Sequence, residues 1–474
     1  MQFFGFFPIS TKENEGDHVA VKISINPRKV FQTMQGFGVS GAWWAQYVGG
    51  VTQTDPESGK SVRDRISELL FSKENGLGIQ IYRFNVGAGS ADSGNGNIEN
   101  KLRRTECFEV SPGKYDWSKD KNAVYMMKKA VEDGADEVIL FFNSPPERLT
   151  KNGKAHLDKI FFENISRKNY AEFARFGADT ASHFVSEGVP VKYISPVNEP
   201  IWIWTGGQEG CHYHPWNMKP VFKAFALELD KRPELKDIML SGPESGDLRF
   251  FNKSYIRSML SEPTVRRRMD CIDTHSYCAQ INIPLIKKPL NNRAAFVKRY
   301  GKWAQKKYPD MAVKMSEWTH MQGGRDSGMA SALEQAKIMT EDIGLMNAAS
   351  WQHWIAVSEV DYCDGLIYIN IPENTFEITK RYYAFGNFTK FVPIGAKRIE
   401  AQCGDSDLSV LAFDCGEYTA VIAVNFSESP KSCDFGADGG KTVTTDETHN
   451  LAETEYASLS DVVIPPRSIN TVII

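Results

Sequence analysis

The sequence lacks the features that mark several classes of protein. No stretch approaches eighteen uninterrupted apolar residues, so a membrane-spanning helix is not expected. Neither sign of charge forms a run, and 55 basic against 59 acidic residues leave a formal net charge of −4. This balance argues against nucleic acid or an anionic membrane surface as the main partner. The eight cysteines include no CxxC pair, which favours free thiols over a disulfide framework.

The N-terminal segment, residues 1–19, lacks the marks of a secretory signal. It begins with apolar residues, but it has no basic start, no long apolar stretch and no small-residue cleavage site. We therefore expect a cytoplasmic protein, or a secreted one if a leader has already been removed.

Cofactor and metal motifs are missing as well. The glycine-rich stretch 87–96, GAGSADSGNG, matches neither the dinucleotide GxGxxG nor a phosphate loop, so we expect a mobile loop there and no cofactor. Cys211, His212 and His214 cluster in GCHYHP, but no second group of ligands follows at structural-zinc spacing. No bound metal is therefore expected.

The length and the aromatic residues give the first positive indications. A chain of 474 residues is too long for one ordinary core, so we expect one large domain and a smaller one. Aromatic residues make up 12% of the chain, and many tryptophans lie in loop-like stretches where strands end. Because flat apolar faces beside polar groups suit sugar rings, we expect a carbohydrate partner. The oligomeric state stays open.

Strand-like segments alternate with helix-like segments through most of the chain. This order is typical of parallel βα units, and eight such units close a (β/α)8 TIM barrel, whereas the alternative is an open doubly wound sheet. Polar and aromatic residues at successive strand ends favour the barrel. The strand segments are 34–44, 79–90, 137–150, 191–200, 237–246, 271–278, 313–320 and 350–357. The helical patterns are 62–71, 121–133, 169–187, 216–231, 292–308 and 331–347.

The pattern changes to short alternating strands at about residue 397. Such strands, separated by Gly, Asp, Asn and Ser turns, predict a β-sandwich. Its missing strand is expected in 18–25, where Val19, Val21, Ile23 and Ile25 alternate with other residues. We therefore predict an N-terminal segment 1–33 that contributes to the sandwich, a catalytic barrel 34–394 and a C-terminal sandwich 395–474.

Two glutamates follow predicted barrel strands and carry the predicted chemistry. Glu199 ends the strand-like run in VKYISPVNEP, and Glu317 ends the one in VKMSEW. Acid-assisted glycosidic cleavage requires such a pair. We assign Glu199 as the proton donor and later the base, and Glu317 as the nucleophile that stays ionised.

Several neighbours are expected to bind substrate or support this pair. Arg83, His275 and Tyr277 would supply hydrogen-bond donors around Glu317, while the amide of Asn198 would bind a sugar hydroxyl. Trp354 would stack under the sugar, and Trp43, Trp44 and Trp202 would wall the pocket, although either first-strand tryptophan could equally pack in the barrel. Glu147, Glu244 and Glu359 are further carboxylates that hydroxyl binding or plain solvation would explain.

The motifs QGFG, YRFNVGAGS, VNEP, SGPES, DTHSY, SEW and WQHW, with the closing IPPRSINTVII, resemble glycoside hydrolase family 30 of the clan A retaining hydrolases. The resemblance implies a (β/α)8 barrel with a side β-sandwich built from both termini, and retention by double displacement without a cofactor. It also implies that the family's acid/base and nucleophile are Glu199 and Glu317. Arg83, Asn198, His275, Tyr277 and Trp354 match its other site positions.

The specificity expected from the resemblance is a β-linked glycan of the β-1,6-galactan kind. The first-strand end GVSGAWWAQ carries bulky residues where the glucosylceramidase-like branch has smaller polar ones. The acidic stretch 358–369 does not fit the basic pocket that glucuronoxylan requires. Other specificities in the family (glucosylceramidase-like, β-glucosidase, β-fucosidase or xylan-active), transglycosylation and a non-catalytic carbohydrate-binding barrel are the alternatives.

Overall fold

The computed structural model describes residues 20–94, 98–158, 163–278 and 291–474. The predictions about a secretory signal, about His18 and Val19 of the first strand, and about the end of the glycine-rich stretch lie outside these ranges. Within them, no helix combines the length and the apolar character needed to cross a membrane.

Eight parallel strands form the predicted barrel, which is confirmed. Every neighbouring pair in this sheet runs parallel, and strand eight pairs with strand one through Trp351 and Phe37. In chain order the strands are Phe37–Ser40, Ile81–Asn85, Glu137–Phe141, Val191–Ser195, the two segments Met239–Leu240 and Pro243–Ser245, Cys271–His275, Ala312–Trp318 and Ala348–His353.

Strand five is divided, and its two halves close the barrel. Met239–Leu240 pairs with strand four, whereas Pro243–Ser245 pairs with strand six. Pro243 lacks the amide hydrogen that a continuous ladder would use. The second half therefore leaves the register of the first and brings Glu244 under the catalytic end of the barrel.

Helices surround the barrel, and local sequence sets their ends. Val62–Phe71 begins after Ser61, whose hydroxyl accepts a hydrogen bond from the Asp64 amide, and Lys121–Asp133 ends before Gly134. The α-helices are Ala45–Val48, Val62–Phe71, Lys121–Asp133, Tyr170–Ser186, Pro215–Asp230, Asn252–Leu260, Pro263–Arg267, Arg293–Lys307, Met329–Glu341 and Lys380–Thr389. Met329–Glu341 continues as a π-helical turn, Asp342–Met346. Short 3-10 turns are Lys101–Arg103, Glu147–Leu149, Arg167–Asn169 and Pro233–Leu235.

The predicted β-sandwich is also confirmed, and it uses both ends of the described chain. The N-terminal strand Val21–Thr33 pairs antiparallel with Lys397–Cys403 and, at Val21 and Lys22, parallel with Lys431–Asp434. The other sandwich strands are Leu408–Asp414, Thr419–Asn425, Gly440–Thr445, Ala452–Tyr456, Val462–Ile464 and Ser468–Ile473. Smaller strands within the barrel region are Glu109–Ser111, Lys114–Tyr115, Ile355–Ser358, Gly365–Asn370 and Thr375–Ile378.

The sandwich has two sheets that share the N-terminal strand. The smaller one adds Lys431–Asp434 and Val462–Ile464, and the larger one adds the remaining sandwich strands. Period-two alternation places the larger sheet between two cores. On Thr419–Asn425, Val421 and Ala423 face the sandwich core, while Ile422 and Val424 join the core of the barrel. The sandwich is therefore packed against the barrel through a continuous apolar layer.

Candidate active site

The predicted acid/base lies at the carboxyl end of strand four. Glu199 has a left-handed φ of 43°, and its amide donates to the carbonyl oxygen of Glu244 at 2.8 Å. This backbone conformation is unusual for a residue other than glycine, and it persists only where neighbours hold it. Glu199 is 8% exposed and lines the cleft.

The predicted nucleophile lies across the barrel at the end of strand seven. Oxygen atoms of Glu199 and Glu317 approach within 4.8 Å of each other. Arg83 Nη1 donates to Glu317 Oε2 at 2.6 Å, and the Tyr277 hydroxyl donates to Oε1 at 3.4 Å. Burial raises the pKa of the Glu317 carboxyl, against the opposing positive charges of His275 and Arg83. The short ion pair with Arg83 favours the ionised form that a nucleophile needs.

Arg83 connects the two catalytic strand ends. It is fully buried, and its Nη2 donates to Asn198 Oδ1 at 2.8 Å while Nη1 binds Glu317. Its guanidinium also lies 3.8 Å from the ring centroid of Phe141. Asn198 Nδ2 in turn donates to Asn143 Oδ1 at 3.0 Å. The arginine therefore orients Glu317 and the residue before Glu199 at the same time.

His275 lies between three carboxylates. Its Nδ1 is 2.9 Å from Glu199 Oε1 and 3.4 Å from Glu317 Oε1, and its Nε2 is 3.0 Å from Glu244 Oε2. Although burial opposes the charged form, these three carboxylates raise the pKa of His275 to about 10. Both ring nitrogens face carboxylate oxygens at hydrogen-bonding distance, and a protonated ring would donate to both.

Glu244 is the site residue whose place the sequence did not predict, since hydroxyl binding or plain solvation was expected and it is neither solvated nor part of the cleft lining. It is fully buried at the end of strand five, where Ser195, Ser316 and His275 all donate to its carboxylate. Although burial works in the opposite direction, Arg83 and His275 hold the pKa of Glu244 below its ordinary value. The motif SGPES offered one indication, since it places an acid at a barrel strand end.

A cleft of about 1090 Å³ opens above these residues. Trp43 and Trp354 line one side and meet edge to face at 5.0 Å between ring centroids, while Trp202 and Trp204 flank Glu199 on the other. Burial raises the pKa of the Tyr277 phenol well above its ordinary value, so its hydroxyl keeps the proton that it donates to Glu317. The cleft thus has aromatic walls on both sides of the carboxylate pair.

Trp44 does not belong to this cleft, which corrects the sequence prediction. It is buried in the barrel core, and its indole nitrogen donates to the carbonyl oxygen of Ser40 at 2.8 Å. Trp43 has a left-handed φ of 70°, so the chain turns between the two tryptophans and only Trp43 reaches the cleft.

Hydrogen bonds hold the first part of the glycine-rich stretch after strand two, which was expected to be a mobile loop. The buried carboxylate of Glu209 accepts hydrogen bonds from the amides of Ala88 and Ser90 and from the Ser90 hydroxyl. Glu147 and Glu359 accept hydrogen bonds from the Ala155 amide and from Asn100 and do not line the cleft.

Among the described residues, Glu199, His275 and Glu317 form the one group whose ligand atoms come close enough to hold a metal ion. Arg83 Nη1 already lies 2.6 Å from Glu317 Oε2, and this cation opposes a second positive charge beside the same carboxylate. The Cys211 thiol instead donates to the carbonyl oxygen of His212, and His212 and His214 contact each other. The donor set at the catalytic end therefore fits proton transfer better than metal binding.

Comparison with known proteins agrees with this geometry. The sequence profile of O-Glycosyl hydrolase family 30 matches residues 20–368. An endo-beta-1,6-galactanase of Hypocrea rufa is 24% identical over 481 residues, which cover 93% of this chain and 90% of that protein.

Solved structures share the fold. A conserved exported protein from Bacteroides fragilis superposes with a TM-score of 0.84 at 24% identity, covering 95% of this chain and 100% of that one. The catalytic domain of a GH30 xylanase C from Talaromyces cellulolyticus superposes with a TM-score of 0.73 at 16% identity, covering 96% and 100%.

Proposed function

Because the chain belongs to O-glycosyl hydrolase family 30, we propose that it is an endo-acting enzyme that cleaves a β-1,6-linked galactan. It is an O-glycosyl hydrolase with a carbohydrate substrate, and it acts by the retaining mechanism. The observation that carries the mechanism is the approach of Glu199 and Glu317 oxygens within 4.8 Å. Retaining enzymes hold the two carboxyl groups about 5–5.5 Å apart, and inverting enzymes about 6.5–9.5 Å apart.

In the first half-reaction, an oxygen of Glu317 attacks the anomeric carbon while Glu199 gives its proton to the glycosidic oxygen. The bond between the anomeric carbon and that oxygen breaks, and the leaving sugar departs with the proton. The sugar is then held as an ester of Glu317. Arg83 and Tyr277 orient Glu317 for this attack.

In the second half-reaction, the Glu199 carboxylate removes a proton from water, and the water oxygen attacks the same carbon. The ester bond breaks, the sugar leaves with its β configuration, and Glu317 becomes a carboxylate again. Glu199 ends the cycle protonated, as it began.

Two features support the substrate part of the proposal. The galactanase relative matches nearly the whole chain, and its name gives both the β-1,6 linkage and endo action. The cleft is large and is lined by tryptophans from opposite parts of the barrel, Trp354 after strand eight and Trp202 after strand four, which suits a glycan longer than one sugar.

The test is hydrolysis of aryl β-galactosides, β-glucosides, β-fucosides and β-xylosides, together with β-1,6- and β-1,4-linked oligosaccharides. We expect turnover of β-1,6-galacto-oligosaccharides, with the β anomer appearing first by proton NMR and at least 10⁴-fold lower kcat in Glu317→Ala. Preference for another sugar would overturn the galactan assignment, and first appearance of the α anomer would overturn the mechanism.

A further inference from the structure

Glu244 is a buried carboxylate that cannot touch the substrate. It is 0% exposed and does not line the cleft, yet it lies one layer beneath the catalytic pair. An isolated buried carboxylate is costly, so each of its oxygens needs a donor. A charged group kept at this position requires an explanation from its contacts.

Those contacts satisfy both oxygens of the carboxylate. Oε1 accepts from the Ser195 hydroxyl at 3.0 Å and lies 3.7 Å from Arg83 Nη2. Oε2 accepts from His275 Nε2 at 3.0 Å and from the Ser316 hydroxyl. Glu244 therefore stays ionised and faces the side of His275 that points away from the cleft.

The other nitrogen of His275 faces the acid/base. Nδ1 lies 2.9 Å from Glu199 Oε1, so the ring forms a bridge between Glu244 and Glu199. A neutral imidazole has one lone pair, which would have to point at one of the two carboxyl groups. Only the doubly protonated ring donates to both.

We propose that Glu244 is a positioning residue: it holds His275 as an imidazolium and thereby fixes which oxygen of Glu199 carries the catalytic proton. This inference rests on the proposed function, in which Glu199 is the acid. Because Nδ1–H donates to Oε1, that oxygen must act as an acceptor. The acid proton is then on Oε2, where it is available to the leaving oxygen.

A neutral His275 would have the opposite effect. With a lone pair on Nδ1, the ring would accept the proton of Glu199 and turn it away from the cleft. Loss of the charge on Glu244 would favour this state, because Nε2 would lose its carboxylate partner. The acid step would slow, while Glu317 would keep its hydrogen bonds from Arg83 and Tyr277.

The charges around His275 balance when Glu199 is protonated and can act as the acid. Two cations, Arg83 and His275, then face two carboxylates, Glu244 and Glu317, while Glu199 is protonated. The Tyr277 ring lies 6.0 Å from that of His275. Glu244 thus supplies the second negative charge that balances the two cations, so Glu199 can keep its proton. The titratable and charged groups that face His275 are Arg83, Glu199, Glu244, Tyr277 and Glu317.

The experiment compares wild type with Glu244→Gln on aryl β-galactosides whose phenol leaving groups range from acidic to weakly acidic. Acidic phenols leave without protonation, whereas weakly acidic ones need the acid. We expect kcat/KM to fall at least tenfold more for the weakly acidic leaving groups than for dinitrophenol. An equal fall for every leaving group, or no fall, would overturn the proposal.

Glu209→Gln is the matched control, since it makes the same change at a buried carboxylate that bonds Ala88 and Ser90. We plot the logarithm of kcat/KM against the pKa of the leaving phenol. The slope for Glu209→Gln should equal the wild-type slope. A slope change as large as that of Glu244→Gln would overturn the proposal, because it would not be specific to the His275 contact.

Nitrogen-15 NMR of His275 in the wild-type enzyme tests the same inference without a variant that must fold. We expect both ring nitrogens to be protonated between pH 7 and 8, and a neutral ring in that range would overturn the proposal. If the wild-type enzyme is inactive on every glycoside, the proposed function is wrong. If it is active and the dependence of kcat/KM on leaving-group pKa is unchanged in Glu244→Gln, only this inference is wrong.

Discussion

At the residue scale, the geometry of Glu199, the proposed acid/base, depends on a position that has no side chain. Gly246 lines the cleft after strand five, directly beside Glu199 and Trp202. A Cβ atom there would lie 2.6 Å from Glu199 Oε1 and would also clash with the indole nitrogen of Trp202. Glycine therefore leaves the space in which the acid carboxyl rests.

Gly246→Ala should lower kcat roughly 10- to 100-fold, because a small displacement of a catalytic group is costly. Steady-state kinetics on a β-1,6-galacto-oligosaccharide measure this effect. Gly323→Ala is the control, since a Cβ there meets nothing within 4 Å. Equal kinetics in both variants would show that Glu199 tolerates the displacement.

The position of a site residue could be predicted from the sequence where the strand that carries it could be predicted. Glu199 and Glu317 each follow a run rich in β-branched and apolar residues, so sequence alone places them at strand ends. Glu244 follows a strand of two residues and a proline, and its partners Ser195, His275 and Ser316 are distant in the chain. Its place emerges only when the barrel closes.

At the scale of elements, a buried carboxyl group joins two loops at the catalytic end of the barrel by hydrogen bonds. Glu209, after strand four, bonds Ala88 and Ser90, after strand two. Burial raises the pKa of Glu209 to about 7, although its hydrogen bonds oppose the shift. The folded protein therefore binds this proton at pH values where the unfolded chain has released it.

This shift predicts a pH dependence of the free energy of unfolding. The pKa of Glu209 is higher in the folded protein than in the unfolded chain. Its contribution to the free energy of unfolding is therefore fully present below about pH 4.5 and is lost as the pH rises through about 7. When the pH is raised from 5 to 8, the free energy of unfolding of wild type should fall by up to about 3 kcal/mol relative to that of Glu209→Gln. Urea unfolding of both proteins at the two pH values measures the difference. A difference that is the same at both pH values would contradict it.

Elements with strong local sequence features were predicted closely. The structure gives Val62–Phe71 and Lys121–Asp133 the same bounds as the helical patterns, because a serine cap and a glycine mark their ends. The helical pattern 331–347 is instead an α-helix followed by the π-helical turn Asp342–Met346. That change depends on tertiary contacts, since buried Asp342 binds Arg293, Ser276 and Trp351.

At the scale of the whole molecule, the N-terminal strand Val21–Thr33 joins the start of the described chain to its end. Ile23 is buried in the sandwich core beside residues of both sheets, whereas Val30 on the same strand is 50% exposed. The sandwich needs this strand because it pairs with both sheets.

Ile23→Ala should therefore lower the free energy of unfolding by about 2–4 kcal/mol, through lost apolar burial and the cavity left behind. The matched change Val30→Ala should stay within about 0.5 kcal/mol of wild type. Denaturant unfolding measures both, and equal destabilisation by the two variants would contradict the pairing. Ile23 packs in the sandwich core and does not line the cleft, so kcat of folded Ile23→Ala should match wild type.

The order of strands and helices was enough to predict the barrel and the sandwich, because alternation at periods of two and 3.6 is local. The pairing of Ile23 with Cys403 joins positions 380 residues apart, and it was inferred from an unpaired strand rather than from any local feature. The choice between Trp43 and Trp44 depended on one backbone angle, which adjacent identical residues do not reveal.

The central claim, that Glu317 is the nucleophile of a retaining glycosidase, is tested most directly by trapping the covalent intermediate. The enzyme is incubated with 2,4-dinitrophenyl 2-deoxy-2-fluoro-β-galactoside and analysed by mass spectrometry of the intact protein and of its peptides. We expect one added fluorogalactosyl group, located on the peptide that contains Glu317 and absent from Glu317→Ala. Attachment at another residue, or turnover of galactosides by an enzyme that never forms the adduct, would contradict it.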